Sequence, residues 1–148
     1  MVIANPKILV VDDEAGIRFA LQDYLTAKGM DVACATSAGE ADVMLSRNNY
    51  SVAIVDLRLI GEIEDDGIVL LSRIRRHSPM TRTVLISANM TTETAQRARD
   101  IGVDLVLSKP VPLHEVAAGI QRLTGEGRRD ALGIRPGFRE VLPGFSHC

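Results

Sequence analysis

Residues 7–14 read KILVVDDE: four branched aliphatic side chains in a row, Ile8, Leu9, Val10 and Val11, stopped by the acidic pair Asp12-Asp13. A run this short and this branched predicts a strand rather than a helix, and one buried on both faces, as parallel strands covered by helices are. The same punctuation recurs downstream. Residues 52–55 (VAIV) run into Asp56, residues 84–86 (VLI) into Ser87, and residues 105–107 (LVL) into Ser108-Lys109-Pro110, while residues 32–35 (VACA) form one further short run.

Helical spacing fills the intervals. Ile17, Leu21, Tyr24, Leu25 and Lys28 share one face, and Gly29 stands where a helix ends in the left-handed conformation. Ser37 with Glu40 fits a capping box that opens a helix to about Arg47, closed by Asn48-Asn49. Ile68, Leu71 and Ile74 mark a third helix broken by Ser78-Pro79, residues 92–101 a fourth, and Leu113, Val116, Ala117, Ile120 and Leu123 a fifth. Five strands alternating with five helices predict right-handed crossovers and a doubly wound α/β domain with a five-stranded parallel sheet. The flavodoxin-like (βα)5 order, 2-1-3-4-5, sets the first and third strands side by side, so Asp12, Asp13, Asp56, Ser87 and Lys109 converge at the carboxyl edge.

Composition bounds what such a domain does. With 148 residues, 46% of them hydrophobic, the chain has one domain's worth of core without staples. Seventeen Lys+Arg against nineteen Asp+Glu leave a net charge of −2, too balanced for a protein that grips nucleic acid or an anionic membrane. Cys34 and Cys148 form neither a disulfide framework nor a metal spacing, and the apolar run at 8–11 is far too short for a signal core or a membrane span. A cytoplasmic protein with no membrane insertion is expected. The boundary falls at 124. Residues 125–148 carry five glycines, four arginines and a repeated Pro-Gly-Phe at 136–138 and 143–145, which reads as a flexible or docking tail on a domain at 5–124.

The converging residues define a chemistry. Two carboxylates about 4 Å apart repel by roughly 4 kcal/mol at an effective dielectric of about 20, so three of them call for a cation. All-oxygen donors select Mg²⁺, with Mn²⁺ as the substitute, and Mg²⁺ held this way expects a phosphate oxygen. Lys109 and Ser87 supply a cation and a hydroxyl for the remaining phosphoryl oxygens, and Asp56 is the central carboxylate able to act as nucleophile, forming an acyl phosphate.

At these motifs the chain resembles the receiver domain of two-component response regulators, over about residues 5–124: the acidic pair in VVDDE, the acceptor in VAIVDLRL, the hydroxyl-plus-small pair Ser87-Ala88 in LISAN, and Lys109 before Pro110 in LSKP. The resemblance implies that Asp13, Asp56 and the Arg58 carbonyl contact Mg²⁺ directly and Asp12 through water. It implies that Ser87, Lys109 and the backbone amides of Leu57 and Ala88 hold the phosphoryl oxygens, and that Lys109-Pro110 is a cis peptide. It implies, too, that the phosphoryl group comes from a sensor histidine kinase or a phosphotransfer protein.

The chain departs from the family in two places. Gly67 comes eleven positions after Asp56 rather than about eight, across an acidic stretch at 62–66 that reads as a solvated loop, and Val106 replaces the Tyr or Phe common three residues before the lysine. By the same resemblance, Arg58 and Asn89 occupy positions expected to flank the phosphoryl group, and with Val106 are the residues expected to tune its lifetime and output. Asp13 doubles as a candidate cap for the first helix, His77 as a helix end and His114 as an early helical turn, and Tyr24 reads as packing.

The reading is a stand-alone receiver, a monomer or weak homodimer. It signals to an unknown output protein through its last two helices and fifth strand, makes no direct contact with nucleic acid, and turns over no external substrate. Alternatives are a phosphorylation-independent pseudo-receiver and an aspartyl-phosphate phosphatase, whose second acid two residues past the nucleophile would be Glu14 after Asp12, since Arg58 follows Asp56. A flavin binder lacks its Ser/Thr/Gly-rich phosphate loop here.

Overall fold

The computed structural model describes residues 5–57 and 66–125. Arg58, the acidic residues Glu62, Glu64 and Asp65, and the expected tail with Cys148 lie outside them. Five strands, β1 (Lys7–Val11), β2 (Asp31–Ala35), β3 (Val52–Asp56), β4 (Arg82–Ser87) and β5 (Leu105–Ser108), alternate with α1 (Ala15–Ala27), α2 (Ala38–Arg47), α3 (Asp66–His77), α4 (Thr92–Ile101) and α5 (Leu113–Gly125). All four strand pairs are parallel, in the order β2-β1-β3-β4-β5.

Alternate residues of each strand face opposite sides, so the sheet builds two cores. Leu9, Val11, Ala53, Val55 and Leu85 pack with Ile68, Leu71 and Ile74 of α3 and Ala98 of α4. Ile8, Val10, Ile54, Ile86 and Leu107 pack with Leu21 and Leu25 of α1 and Val116 and Ile120 of α5. Both faces being covered is why the strands read as continuous apolar runs.

Local signals set most helix ends. Gly29 and Gly102 carry φ of +90° and +86°, the left-handed geometry in which Gly102 caps α4. The Ser37 hydroxyl accepts from the Glu40 amide at 3.2 Å, while the Glu40 carboxylate reaches one residue further back than a capping box requires and accepts from the Thr36 amide at 2.7 Å. The hydrogen bond from Thr36 holds the Glu40 carboxyl below its usual range. Ser37→Ala is expected to cost about 1 kcal/mol in urea denaturation. His77 ends α3 and His114 sits in the first turn of α5, both exposed, and Tyr24 packs against the α1/α5 core.

Besides one-residue shifts at other strand ends, three boundaries differ from the sequence reading. Strand β4 starts two residues early, at Arg82, because Thr83, wholly buried, satisfies its hydroxyl on the Asp104 carboxylate at 3.2 Å and so behaves as a core residue. Helix α3 starts inside the acidic stretch, at Asp66. Asp13 does not cap α1: the cap position is Glu14, whose amide donates to Asp12 Oδ1 at 2.9 Å.

Candidate functional site

Strand register brings the acids together. Val11 of β1 stands opposite Val55 of β3, so Asp12 and Asp56, each the next residue, emerge side by side. Both are nearly closed to solvent, at 4% and 9% exposure. Asp12, Asp13 and Asp56 each offer a carboxylate oxygen within 4.8 Å of the others. The Lys109 ammonium bridges two of them, 3.2 Å from Asp12 Oδ2 and 3.2 Å from Asp56 Oδ1, with Glu14 Oε1 at 4.0 Å.

The electrostatics follow from that geometry. Burial raises the Asp56 carboxyl to about 6; Lys109 pulls it back while Asp12 and Asp13 push it further up. Burial by itself would lower the Lys109 ammonium, but the Asp56 and Asp12 carboxylates outweigh it and raise the group. Three carboxylates against one ammonium leave about two negative charges uncompensated at neutral pH, and every donor is a hard oxygen. A divalent cation of the Mg²⁺ class fits both features.

Asp12 is heavily engaged: Oδ1 accepts from the Glu14 amide, Oδ2 from Lys109, and its carbonyl from Arg18 Nη1 at 2.8 Å. Asp13 is partly exposed beside it. Ser87, 3% exposed, ends β4, and its hydroxyl accepts from the Asn89 amide at 3.0 Å. Ser87 stands opposite Ser108 in the β4–β5 register, and the Lys109 amide donates to the Ser87 carbonyl at 2.8 Å, which anchors the lysine at the adjacent strand end. The Lys109-Pro110 peptide is cis.

One expected donor is otherwise engaged. The Leu57 amide, read as facing the phosphoryl group, donates to the Ile86 carbonyl at 2.9 Å and extends the β3–β4 ladder by one bond. The strand pairing continues one residue past Asp56 and takes this amide with it. Ala88 and Asn89 are exposed at the rim. Val106 is fully buried on the α2–α4 side of the sheet, in the cluster that also takes in Met90 and Ile101.

Along the sequence Gly67 is only a spacing anomaly. The structure presses it against the acceptor strand: its amide donates to the Leu57 carbonyl at 3.0 Å, and a methyl group there would overlap the Asp56 carbonyl and lie 2.8 Å from Leu57 Cα. Whatever the path of 58–65, its two ends meet here. Arg58 and its carbonyl, assigned above to the metal, lie outside the described residues.

The chain is similar to known proteins along most of its length. It is 31% identical over 152 residues to the alginate biosynthesis transcriptional regulatory protein AlgB of Pseudomonas aeruginosa, covering 92% of this chain and 33% of that protein. It is 32% identical over 117 residues to the transcriptional regulatory protein PmrA of Pectobacterium parmentieri, covering 79% of this chain and 51% of that one. The chain thus spans about a third to a half of the length of these relatives. Among solved structures, the receiver domain of the Francisella response regulator 1452 aligns with a TM-score of 0.75 at 30% identity, over 82% of this chain and 98% of that one. A CheY-like receiver domain protein from Methanospirillum hungatei shares the fold with a TM-score of 0.79 at 22% identity, over 85% and 98%. Among the described residues no helix is long and apolar enough to cross a membrane. The response regulator receiver domain model matches residues 8–121, a span that takes in all five strands from Ile8 on and each of Asp12, Asp13, Asp56, Ser87 and Lys109, and the chain belongs to that family.

Proposed function

We propose that this domain accepts a phosphoryl group on Asp56 from a phosphohistidine of a sensor kinase or phosphotransfer protein. The observation that carries the reading is the Lys109 ammonium seated 3.2 Å from both Asp56 and Asp12 in a three-carboxylate cluster. In the transfer, Asp56 Oδ forms a bond to phosphorus as the bond from phosphorus to the donor's imidazole nitrogen breaks, and the imidazole keeps that electron pair. Lys109 neutralises charge on the phosphoryl oxygens, Ser87 donates its hydroxyl proton to one of them, and the Ala88 amide serves another. Asp12, Asp13 and Asp56, with the Arg58 carbonyl, would hold Mg²⁺. The cation when bound supplies the positive charge that lets two anions, carboxylate and phosphate, approach.

The domain so read is a signalling switch rather than a turnover enzyme. Two observations favour it over a pseudo-receiver: Asp56, Ser87 and Lys109 all stand at the carboxyl edge, and Lys109 is already ion-paired to the acceptor. Output passes to a partner protein through α4, β5 and α5. Val106 in place of an aromatic residue means that coupling to that face runs through packing around Met90 and Ile101 rather than through a swinging ring.

Intact mass after incubation with acetyl phosphate and Mg²⁺ tests the reading. A gain of about 80 Da, one phosphoryl group, that EDTA prevents is expected; no gain when sampling outpaces hydrolysis would overturn it in favour of the pseudo-receiver. Lys109→Met should slow the uptake by about 100-fold or more, as loss of a preorganised charge at a reacting oxyanion does. The same variant should bind Mg²⁺ more tightly, since a competing cation has gone, and titration calorimetry reads that directly.

A further inference from the structure

Of the three carboxylates in the acidic cluster, Asp13 has no anchor of its own. Asp12 rests its two oxygens on the Glu14 amide and on Lys109, and Asp56 is ion-paired to Lys109 at 3.2 Å. The Asp13 side chain, partly exposed, makes no hydrogen bond or ion pair among the described residues, yet one of its oxygens lies within 4.8 Å of an oxygen of each of the other two acids. Its position is therefore set through the backbone.

The controlling element is the peptide between Asp12 and Asp13. The Asp12 carbonyl, the Asp13 nitrogen and the Asp13 Cα share one plane, so the direction of that carbonyl fixes the point from which the Asp13 side chain leaves. Strand β1 ends at Val11. The Asp12 amide is still tied to β2, donating to the Ala35 carbonyl at 3.1 Å, but its carbonyl has left the ladder, and a main-chain oxygen that loses its strand partner this close to the core needs another donor. Arg18 provides it: Nη1 donates to the Asp12 oxygen at 2.8 Å, and the Arg18 amide donates to the Glu14 carbonyl at 3.1 Å, so the donor stands on the first turn of α1. The guanidinium charge is also felt at the Glu40 carboxyl, which the hydrogen bond from Thr36 lowers and Arg18 lowers further. It forms no ion pair with that acid and sits on the carbonyl instead.

We propose that Arg18 is a positioning residue of the acidic site: its bond to the Asp12 carbonyl holds the Asp12-Asp13 peptide so that the Asp13 carboxylate stands with those of Asp12 and Asp56 around a divalent cation. The role rests on the Mg²⁺ reading above and concerns binding of the cation rather than the transfer step. Charge and position predict opposite signs. Removing a positive group from beside an acidic site strengthens Mg²⁺ binding by electrostatics alone, as expected for Lys109→Met, whereas losing the bond to the carbonyl frees the peptide to turn and weakens it. Outer partners that orient a metal ligand are worth about 10–100-fold in affinity, so position outweighs charge.

Calorimetric titration of Mg²⁺ into the metal-free full chain tests this without reference to phosphorylation. Wild type is compared with Arg18→Met, which keeps the apolar stem, and with Arg18→Lys, which keeps a donor on a stem of similar reach. Arg18→Met is expected to bind Mg²⁺ at least about tenfold more weakly, and Arg18→Lys to stay within about threefold of wild type. The Mg²⁺ concentration that half-saturates uptake from acetyl phosphate should rise by the same factor as Kd, while the rate at saturating Mg²⁺ returns to near the wild-type value. A merely structural role would lower the urea midpoint in EDTA and leave Kd where it was. Arg18→Gln, too short to reach the carbonyl, repeats the comparison should the methionine chain not fold. Equal or tighter Mg²⁺ binding by Arg18→Met overturns the proposal, as does an Arg18→Lys chain no better than Arg18→Met, since the geometry uses one N–H donor. A wild-type chain that binds no Mg²⁺ overturns the metal reading and this role with it. Absence of phosphoryl uptake in the wild type, with the Mg²⁺ affinities still in the expected order, counts against the phosphoacceptor reading alone and supports the positioning role.

Discussion

Asp56→Asn is expected to abolish phosphoryl uptake and, in the absence of divalent ions, to make the protein more stable. The loss follows from removing the nucleophile, since an amide oxygen forms no acyl phosphate. The gain follows from the titration of the buried carboxyl, which burial holds at about 6 against an ordinary value of 3.8. Between those pH values the folded chain binds a proton that the unfolded chain has released, so stability falls as pH rises from about 4 to about 6 and stays lowered above that. About two pKa units at 1.36 kcal/mol each put the effect near 2–3 kcal/mol at pH 7, reduced in the variant by the lost Lys109 ion pair. Urea denaturation in EDTA at pH 7 should therefore place the Asp56→Asn midpoint above wild type, and the gap should close on lowering the pH to 4 or on adding millimolar Mg²⁺. A variant less stable than wild type at pH 7 in EDTA would show that the acidic cluster is not under electrostatic strain. The same titration predicts that uptake from acetyl phosphate declines below about pH 6, where the nucleophile is protonated, and that saturating Mg²⁺ moves this decline to lower pH.

Gly67→Ala is expected to cost about 3 kcal/mol or more, well above the typical surface substitution. The added methyl group meets backbone, the Asp56 carbonyl and Leu57 Cα and O, rather than the end of a side chain able to swing away. Relief requires α3 to retreat or β3 to shift at its last residue, and the second route moves the acceptor. A displacement of about 1 Å at a reacting group lowers rates by about 100-fold, so uptake per folded molecule should fall along with stability. A position on the solvated side of the same helix provides the comparison: Val69 is 45% exposed, and Val69→Ala should leave both quantities nearly unchanged. If Gly67→Ala matches it, the contact between α3 and the acceptor strand is softer than its geometry implies.

Much of this molecule is legible along the chain because of how its sheet is covered. A strand buried on both faces has to be apolar at every position, so each strand appears as a block, and the first polar residue after the block is the one that reaches the carboxyl edge. That logic locates Asp12, Asp56 and Ser87 without knowledge of their partners and puts Lys109 one residue past the end of its block, whereas the strand order comes with the flavodoxin-like topology, since crossover chirality fixes only the face that each helix covers. Helix ends written in local chemistry, such as Ser37 with Glu40 or Gly29 at positive φ, are legible for the same reason.

What local patterning does not carry is anything set by a partner far away in sequence. Thr83 reads as polar until Asp104, 21 residues on, turns it into core. The Leu57 amide reads as free until the β3–β4 pairing, extended one residue past Asp56, gives it the Ile86 carbonyl. Gly67 reads as a late glycine until the fold presses it against Asp56. The pairing of Lys109 with Asp12 spans 97 positions, and it depends on β1, β3 and β5 being cut to lengths that bring their ends level. Side-chain types and block ends are local properties of the chain, whereas ion-pair distances, burial and the raised Asp56 carboxyl exist only once the strands are in register and water has been excluded from between them.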